Sequence, residues 1–211
     1  MKGWDFCWPP AGTRNWPLTI SQQAAPFTLF GNRGVIHSRY NVTKQFQNIE
    51  WIYCSTKGLA TPREFMRQGR YTELFFLDEA TALAAGHRPC GQCENSRQLE
   101  FTSMWKKTFP DDDSLEQIDR KLHSSRINES GSKTVFETDC SELPNGAMIR
   151  DPHSSGSLLI RNEFVYPWTP QGYGVRLVRP KGTVEVLTPR PTVSVLARGF
   201  TVGPNEPLLA W

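Results

Sequence analysis

Two cysteines separated by two residues, Cys90 and Cys93 in HRPCGQC, have the types and spacing to do chemistry. On a turn between two helices both sulfurs can face one metal ion at the roughly 2.3 Å of a tetrahedral zinc site. Such a pair is half a site. The other half has to come from Cys7, Cys54, Cys140, His37, His87, His123 or His153. Two other readings compete with metal. Unpaired Cys is among the most buried residue types, so the pair could be two small core residues. A thioredoxin-like redox pair sits at the start of a helix that follows a strand, whereas the element before this pair reads as a helix. Five Cys is an odd number, and the first residues, MKGWDFCWPPAG, lack the apolar core of a signal peptide. Together these point to a cytoplasmic, reducing setting and to metal rather than a disulfide framework.

The elements that must hold the pair are legible around it. YTELFFL reads as a short strand. Asp78 caps a helix of about two turns through Ala85, and Gly86 takes the left-handed position after it. NSRQLEFTSMWKKTF predicts a second helix, capped at Asn95 and stopped by Pro110. SLEQIDRKLHSS predicts a third, capped by Ser114, with Leu115, Ile118 and Leu122 at i, i+3 and i+7. Upstream, Val35, Ile36 and Tyr40 in GNRGVIHSRYNV suit one strand, and Ile49, Trp51, Ile52 and Tyr53 in NIEWIYC suit another, and the two should pair. STKGLATPREFMRQGR reads as loop. Residues 1–30, with four Pro and three Trp, show no sustained period and read as an irregular aromatic arm. After NESGSK the segments TVFET, AMIRD, SLLIRNEFVYPW, QGYG, VRLVRP and TVEVLTP are strand-like and separated by turns. Near the end, LTPRPTVSVLARGF echoes the strand, cap, short helix and Gly-aromatic order of FFLDEATALAAGH, with no Cys after it.

At 211 residues the chain is one large domain or two small ones. Hydrophobic residues at 38%, including seven Trp and twelve Phe, supply a core, and sixteen Gly with sixteen Pro argue against a helical bundle. No run of about eighteen apolar residues could span a membrane. The net charge of +3 is too small to name a partner. For catalysis the chain carries no nucleophile elbow, Walker loop or HExxH, and no H-x-E before its PCxxC. His153 after Asp151-Pro152 could act as a general base, though a loop histidine is usually a surface residue. Tyr166, Trp168 and Tyr173 could form a stacking platform, or pack on the core as a strand and its turn.

The string FFLDEATALAAGHRPCGQC resembles the end of the metal-binding domain of the Ada family of DNA-alkylation response proteins. There a strand and a short Ala-rich helix lead into A-A-G-aromatic-R-P-C-x-x-C. The wider order GNRGVIH, WIYC and YTELFFLDEATALAAGHRPCGQC is similar to Ada-like zinc modules over roughly residues 31–95. The resemblance implies Zn2+ held by His37, Cys54, Cys90 and Cys93, a closed set of protein ligands and so a structural site. It places His87 where the family has Tyr or Phe, a packing position. The family's first ligand is a Cys that accepts a methyl group. Here His37 stands first, so methyl acceptance would fall to Cys54. The spacings depart from the family: sixteen residues separate His37 from Cys54 and thirty-five separate Cys54 from Cys90, both longer than the resemblance leads one to expect.

The expectation is an α+β protein: an N-terminal arm over 1–30, an Ada-like zinc module over 31–110, a connecting helix over 111–130 and a mainly β C-terminal lobe over 131–211. Its function would be that of a structural His/Cys3 zinc protein acting as a nucleic-acid-binding or nucleic-acid-processing accessory. Arg88, Arg97, Lys106 and Lys107 would face DNA or RNA, although the acidic run Asp111–Asp113 interrupts a continuous groove. The alternatives are an enzyme or alkyl acceptor working through a zinc-activated Cys, and a metal-stapled protein-interaction module.

Overall fold

The computed structural model describes residues 27–39, 41–57, 65–151, 153 and 156–203. Apart from residues 27–30, the expected aromatic arm lies outside them, as do Cys7 and Tyr40. The first half contains β1 (Leu29–Asn32), β2 (His37–Ser38), β3 (Asn41–Val42), β4 (Ile52–Ser55), β5 (Leu74–Phe76), α1 (Glu79–Ala84), β6 (Arg88–Pro89), α2 (Asn95–Thr108) and α3 (Leu115–Arg126). The second half contains β7 (Phe136–Asp139), β8 (Met148–Arg150), β9 (Ser157–Arg161), β10 (Phe164–Thr169), β11 (Gly172–Tyr173), β12 (Leu177–Val178), β13 (Thr183–Val186) and α4 (Arg190–Ala197). Helices and strands are both present, as expected for an α+β chain, and the C-terminal half is β-rich. No described helix is long and apolar enough to cross a membrane.

A four-stranded sheet runs in the order β5-β1-β4-β6, antiparallel except for the parallel pair of β4 and β6. Side chains alternate across it. Phe30, Cys54 and Phe75 form one cross-strand row, packed with Phe65, Met66 and Cys90. The next row, Gly31, Tyr53 and Leu74, belongs to the other face, and Tyr53 and Leu74 join the main core there. The partner of IYCS is therefore LFGN, not the GVIHSRY segment expected from composition. GVIHSRY instead turns through Gly34, at φ +90°, into the small β2-β3 hairpin. Gly31 explains why LFGN can be a strand despite its composition. A Cβ there would lie 2.5 Å from the Phe76 ring and 2.8 Å from His87 Nε2, so only glycine allows β1 so close to them.

α1 forms as expected. Asp78 and Thr81 make a reciprocal capping box, and Gly86 follows at φ +81°. Its C-terminal carbonyls take three buried cationic side chains: Lys133 Nζ donates to Ala84 O at 2.6 Å, Arg33 Nη2 to Ala85 O at 3.2 Å and Arg126 Nη1 to Gly86 O at 2.7 Å. Positive charge at this end complements the helix dipole. The Trp51 ring lies between the guanidinium groups of Arg33 and Arg126, at 3.8 and 3.9 Å. α2 ends before Pro110 as expected, but its cap differs: Glu94 precedes the helix without a side-chain bond to its first turn, and Asn95 is the first helical residue, its side chain donating to Gly91 O at 3.1 Å. α3 has the Ser114 cap, with Gln117 completing a capping box. Ile118 and Leu122 are buried as expected, while Leu115 is exposed.

The second sheet has seven strands in the order β11-β10-β9-β8-β13-β7, with β12 also on β10. Residues of both sheets meet in a shared core. One core joins Phe76, Leu83, Phe101 and Trp105 to Met148, Leu159, Val195 and Phe200.

Candidate metal centre

Cys54, Cys90 and Cys93 offer sulfur atoms that all lie within 4.8 Å of one another. Backbone pairing is what brings them together. Cys54 sits in β4, and β6 returns parallel to it after crossing over through β5 and α1. Arg88 N donates to Trp51 O and Cys90 N to Tyr53 O, each at 3.0 Å, so the residue after β6 arrives beside Cys54. Glu94 N then donates to Cys90 O at 2.9 Å, and the resulting turn brings Cys93 back over the pair. Cys54 and Cys90 are buried, and Cys93 is exposed.

The three sulfurs are not equivalent. Burial, reinforced by the sulfurs of Cys93 and Cys90, pushes the Cys54 thiol far up, so without metal it remains a hydrogen-bond donor to its neighbours. Burial works in the same direction at Cys90, but there the backbone N–H groups of Cys93 and Gln92 and the two neighbouring thiols donate to the sulfur and bring it below the usual thiol value. The N–H groups that stabilise a Cys90 thiolate are the donors expected around a metal-bound sulfur. A cation is the natural complement of three clustered thiols, since a metal takes them only as thiolates. An electrophile arriving from solvent meets Cys93, not the buried Cys54 to which alkyl acceptance was assigned.

His37 stands outside this group. It lies in β2, buried, with Nδ1 2.6 Å from Thr72 Oγ1, and its Nε2 has no partner among the described residues. Cys140 is buried in a separate cluster of the second sheet. His123 packs edge-on to Phe46 and Trp51, and His153 is exposed near Asp151. His87 is a packing residue. It is buried against Trp51 and Phe76, and its Nε2 accepts from Arg33 Nε at 3.2 Å. Burial, with Arg33 and Arg126 close by, holds it well below the usual histidine range.

The basic residues expected to face nucleic acid divide into two kinds. Arg88 is buried: Nε and Nη2 grip the two Asp119 carboxylate oxygens at 2.8 Å each, and Nη2 also reaches Glu50 at 3.1 Å. Burial opposes its charge, but these acids outweigh burial and keep it protonated. Arg97 is mostly covered. It pairs with Glu79 through Nε at 3.0 Å and Nη2 at 2.6 Å, pairs with Glu100, donates to Thr201 O at 2.7 Å and lies over the Phe200 ring. Only Lys106 and Lys107, in the last turn of α2, are exposed. The four residues do not share one face, because the first two are spent locking α3 to the cysteine turn and α2 to α1. Tyr173 is likewise committed to the core, its hydroxyl donating to Asp78 Oδ2 at 2.8 Å, while Tyr166 and Trp168 are half-buried against the same core.

Two residues to which the sequence reading gave no role at the site connect the centre to the rest of the molecule. Tyr53, adjacent to Cys54, donates its hydroxyl to Glu79 in the first turn of α1, and Glu79 in turn holds Arg97. Asp119 was also missed. Its signal was present, since Asp119 and Arg126 fall on the Ile118/Leu122 stripe of α3, where a charged residue needs a buried partner. Compared with protein-family models, curated proteins and solved structures, the chain matches none.

Proposed function

We propose that this chain is a zinc-binding protein whose metal staples the β4-β6 edge of the first sheet to the start of α2, through Cys54, Cys90, Cys93 and His37. The convergence of three sulfurs from segments thirty-five residues apart carries the reading. The donor set fits the metal: thiolates and imidazole in tetrahedral number are the ligands of structural zinc. His37 has the construction of a ligand, one ring nitrogen tied to Thr72 and the other buried without a partner. Its place outside the sulfur group means that its segment closes onto the metal when the metal binds. Zinc would hold the exposed Cys93 in place and take up the negative charge of the thiolates. The Ada-like resemblance of the RPCGQC turn agrees with this role.

The same reading makes the chain a nucleic-acid-binding accessory protein, approached through Lys106 and Lys107 at the exposed end of α2, with Arg88 and Arg97 as scaffold. Metal content per chain tests the first part: one zinc in the purified protein, lost on Cys93→Ala and on His37→Ala. Zinc retained by His37→Ala removes His37 from the ligand set. Binding of DNA and RNA oligonucleotides across a salt series tests the second. Affinity that falls with salt and falls further on Lys106→Glu with Lys107→Glu supports it, and no binding at low salt ends it.

A further inference from the structure

A cavity of about 380 Å3 opens between the first turn of α1, the hairpin edge of β9 and the segment after α4. Its walls are largely apolar, from Leu159, Leu196, Phe200 and Val202. It is distinct from the cysteine cluster, none of whose residues line it. Two charged residues on its wall have no oppositely charged partner among the described residues.

The first is Asp78. Its Oδ1 accepts from Thr81 N at 2.9 Å and its Oδ2 from the Tyr173 hydroxyl at 2.8 Å, so it is oriented at both oxygens, but no described cation pairs with it. Its neighbour Glu79 is the contrast: it holds Arg97 through two bonds and also accepts from Tyr53 and from Gly203 N. The second is Arg161, the last residue of β9. Alternation along the strand puts it on the face of Leu159, which turns toward α1 and the main core, while Leu158 and Ile160 enter the other core. The Arg161 side chain makes no hydrogen bond or ion pair with any described residue, whereas Arg88, Arg97 and Arg126 are each committed.

A carboxylate without a cation and a guanidinium without an anion, on the wall of one apolar cavity, ask for a ligand that carries both charges. We infer that the cavity binds a small zwitterion with an apolar body, of amino-acid to dipeptide size. Its ammonium would meet Asp78, its carboxylate would take the two-pronged hydrogen bonding of Arg161, and its side chains would lie against Leu196, Phe200 and Val202. The volume falls in the range of small-molecule pockets. The inference stands apart from the metal reading, because neither charged residue touches a sulfur.

The test is calorimetric titration with the dipeptide Leu-Phe, its N-acetyl derivative and its C-terminal amide, with zinc content measured on the same samples. The expected result is one dipeptide per chain, with each blocked derivative at least about tenfold weaker, the scale of one charge-assisted contact. Arg161→Ala should abolish the preference for the free carboxylate over the amide while leaving the discrimination against N-acetylation. Asp78→Asn, which retains an acceptor for the α1 cap, should do the reverse. Absence of dipeptide binding at millimolar concentration overturns the inference, as does equal binding of the blocked forms. Because the Arg161 side chain makes no hydrogen bond or ion pair with any described residue, unchanged binding by Arg161→Ala overturns it too. Zinc content should be the same in every sample, so failure of the metal reading would register separately.

Discussion

The chain builds a strand, a short helix and a left-handed glycine twice, once as β5, α1 and Gly86 and again as β13, α4 and Gly199. In both, the residue after the glycine is a buried ring: His87 under Trp51 and Phe76, and Phe200 against Phe101 and beneath Arg97. Beyond that ring the two diverge. The first continues as β6, pairs with β4 and delivers Cys90 beside Cys54. The second adds no strand among the described residues and lines the cavity through Thr201, Val202 and Gly203. Their surroundings explain the difference. α1 ends against three cations and Trp51, which confine the chain leaving it, whereas no described atom lies within 4 Å of where a Cβ on Gly199 would be. A common local unit thus acquires a chemical role where tertiary contacts dictate its exit.

The largest separation between the two units should come from the proposed metal site. On the proposed zinc reading, Cys90→Ser should lose the metal and the cooperative thermal transition, since a structural zinc supplies on the order of 10 kcal/mol of folding free energy. Phe200→Leu in the second unit should keep one zinc per chain. Zinc persisting in Cys90→Ser would break the comparison at its root. Next comes Arg88, which has no counterpart after α4. Arg88→Ala leaves Asp119 buried without its cation and should cost about 3–5 kcal/mol in urea denaturation. Adding Asp119→Ala should recover part of the loss, and an additive double variant would show that the pair is not coupled.

The glycines come third. Alanine at Gly199 meets backbone strain alone, about 1–2 kcal/mol. At Gly86 the same strain is joined by a contact of 2.7 Å with Arg126 Cδ. The combined cost there should be about 2–5 kcal/mol. Equal losses would mean that the exit of α1 is no more constrained than that of α4. The smallest effect is a pH dependence confined to the first unit. His87 is neutral in the fold and titrates well below 6.5, while in the unfolded chain it titrates near that value. The unfolded state therefore binds the extra proton, and stability should fall as pH drops below the unfolded value, by about 1 kcal/mol between pH 7 and pH 5.5. His87→Phe should flatten that part of the profile, and an unchanged slope would assign it to other groups.

Where an element depends on neighbours in the chain, residue types were sufficient. The Asp78 cap, Gly86, the stop at Pro110 and the Ser114 capping box are set within four or five residues, and each lies where composition and spacing put it. LFGN was not legible as a strand, because its glycine is favoured only by the Phe76 and His87 rings, which arrive from forty-five and fifty-six residues further along. The inward course of Arg88 was hidden for a similar reason. An arginine beside a cysteine turn looks like a phosphate contact until Asp119, on another helix, is seen to claim it.

The Cys-x2-Cys turn and its helical approach follow from local rules: a turn two residues long must bring its flanking side chains together, and a capped helix ends where glycine lets it. Which third cysteine joins them did not follow from those rules, and only the Ada-like resemblance pointed to Cys54 over Cys7 and Cys140. The parallel pairing of β4 with β6 selected Cys54, while burial in the second sheet removed Cys140. Pairing over such separations rests on packing of a shared core, so only the folded chain could decide it. The cavity with Asp78 and Arg161 is of the same origin, since its charges come from elements that meet across that core and share no pattern along the chain.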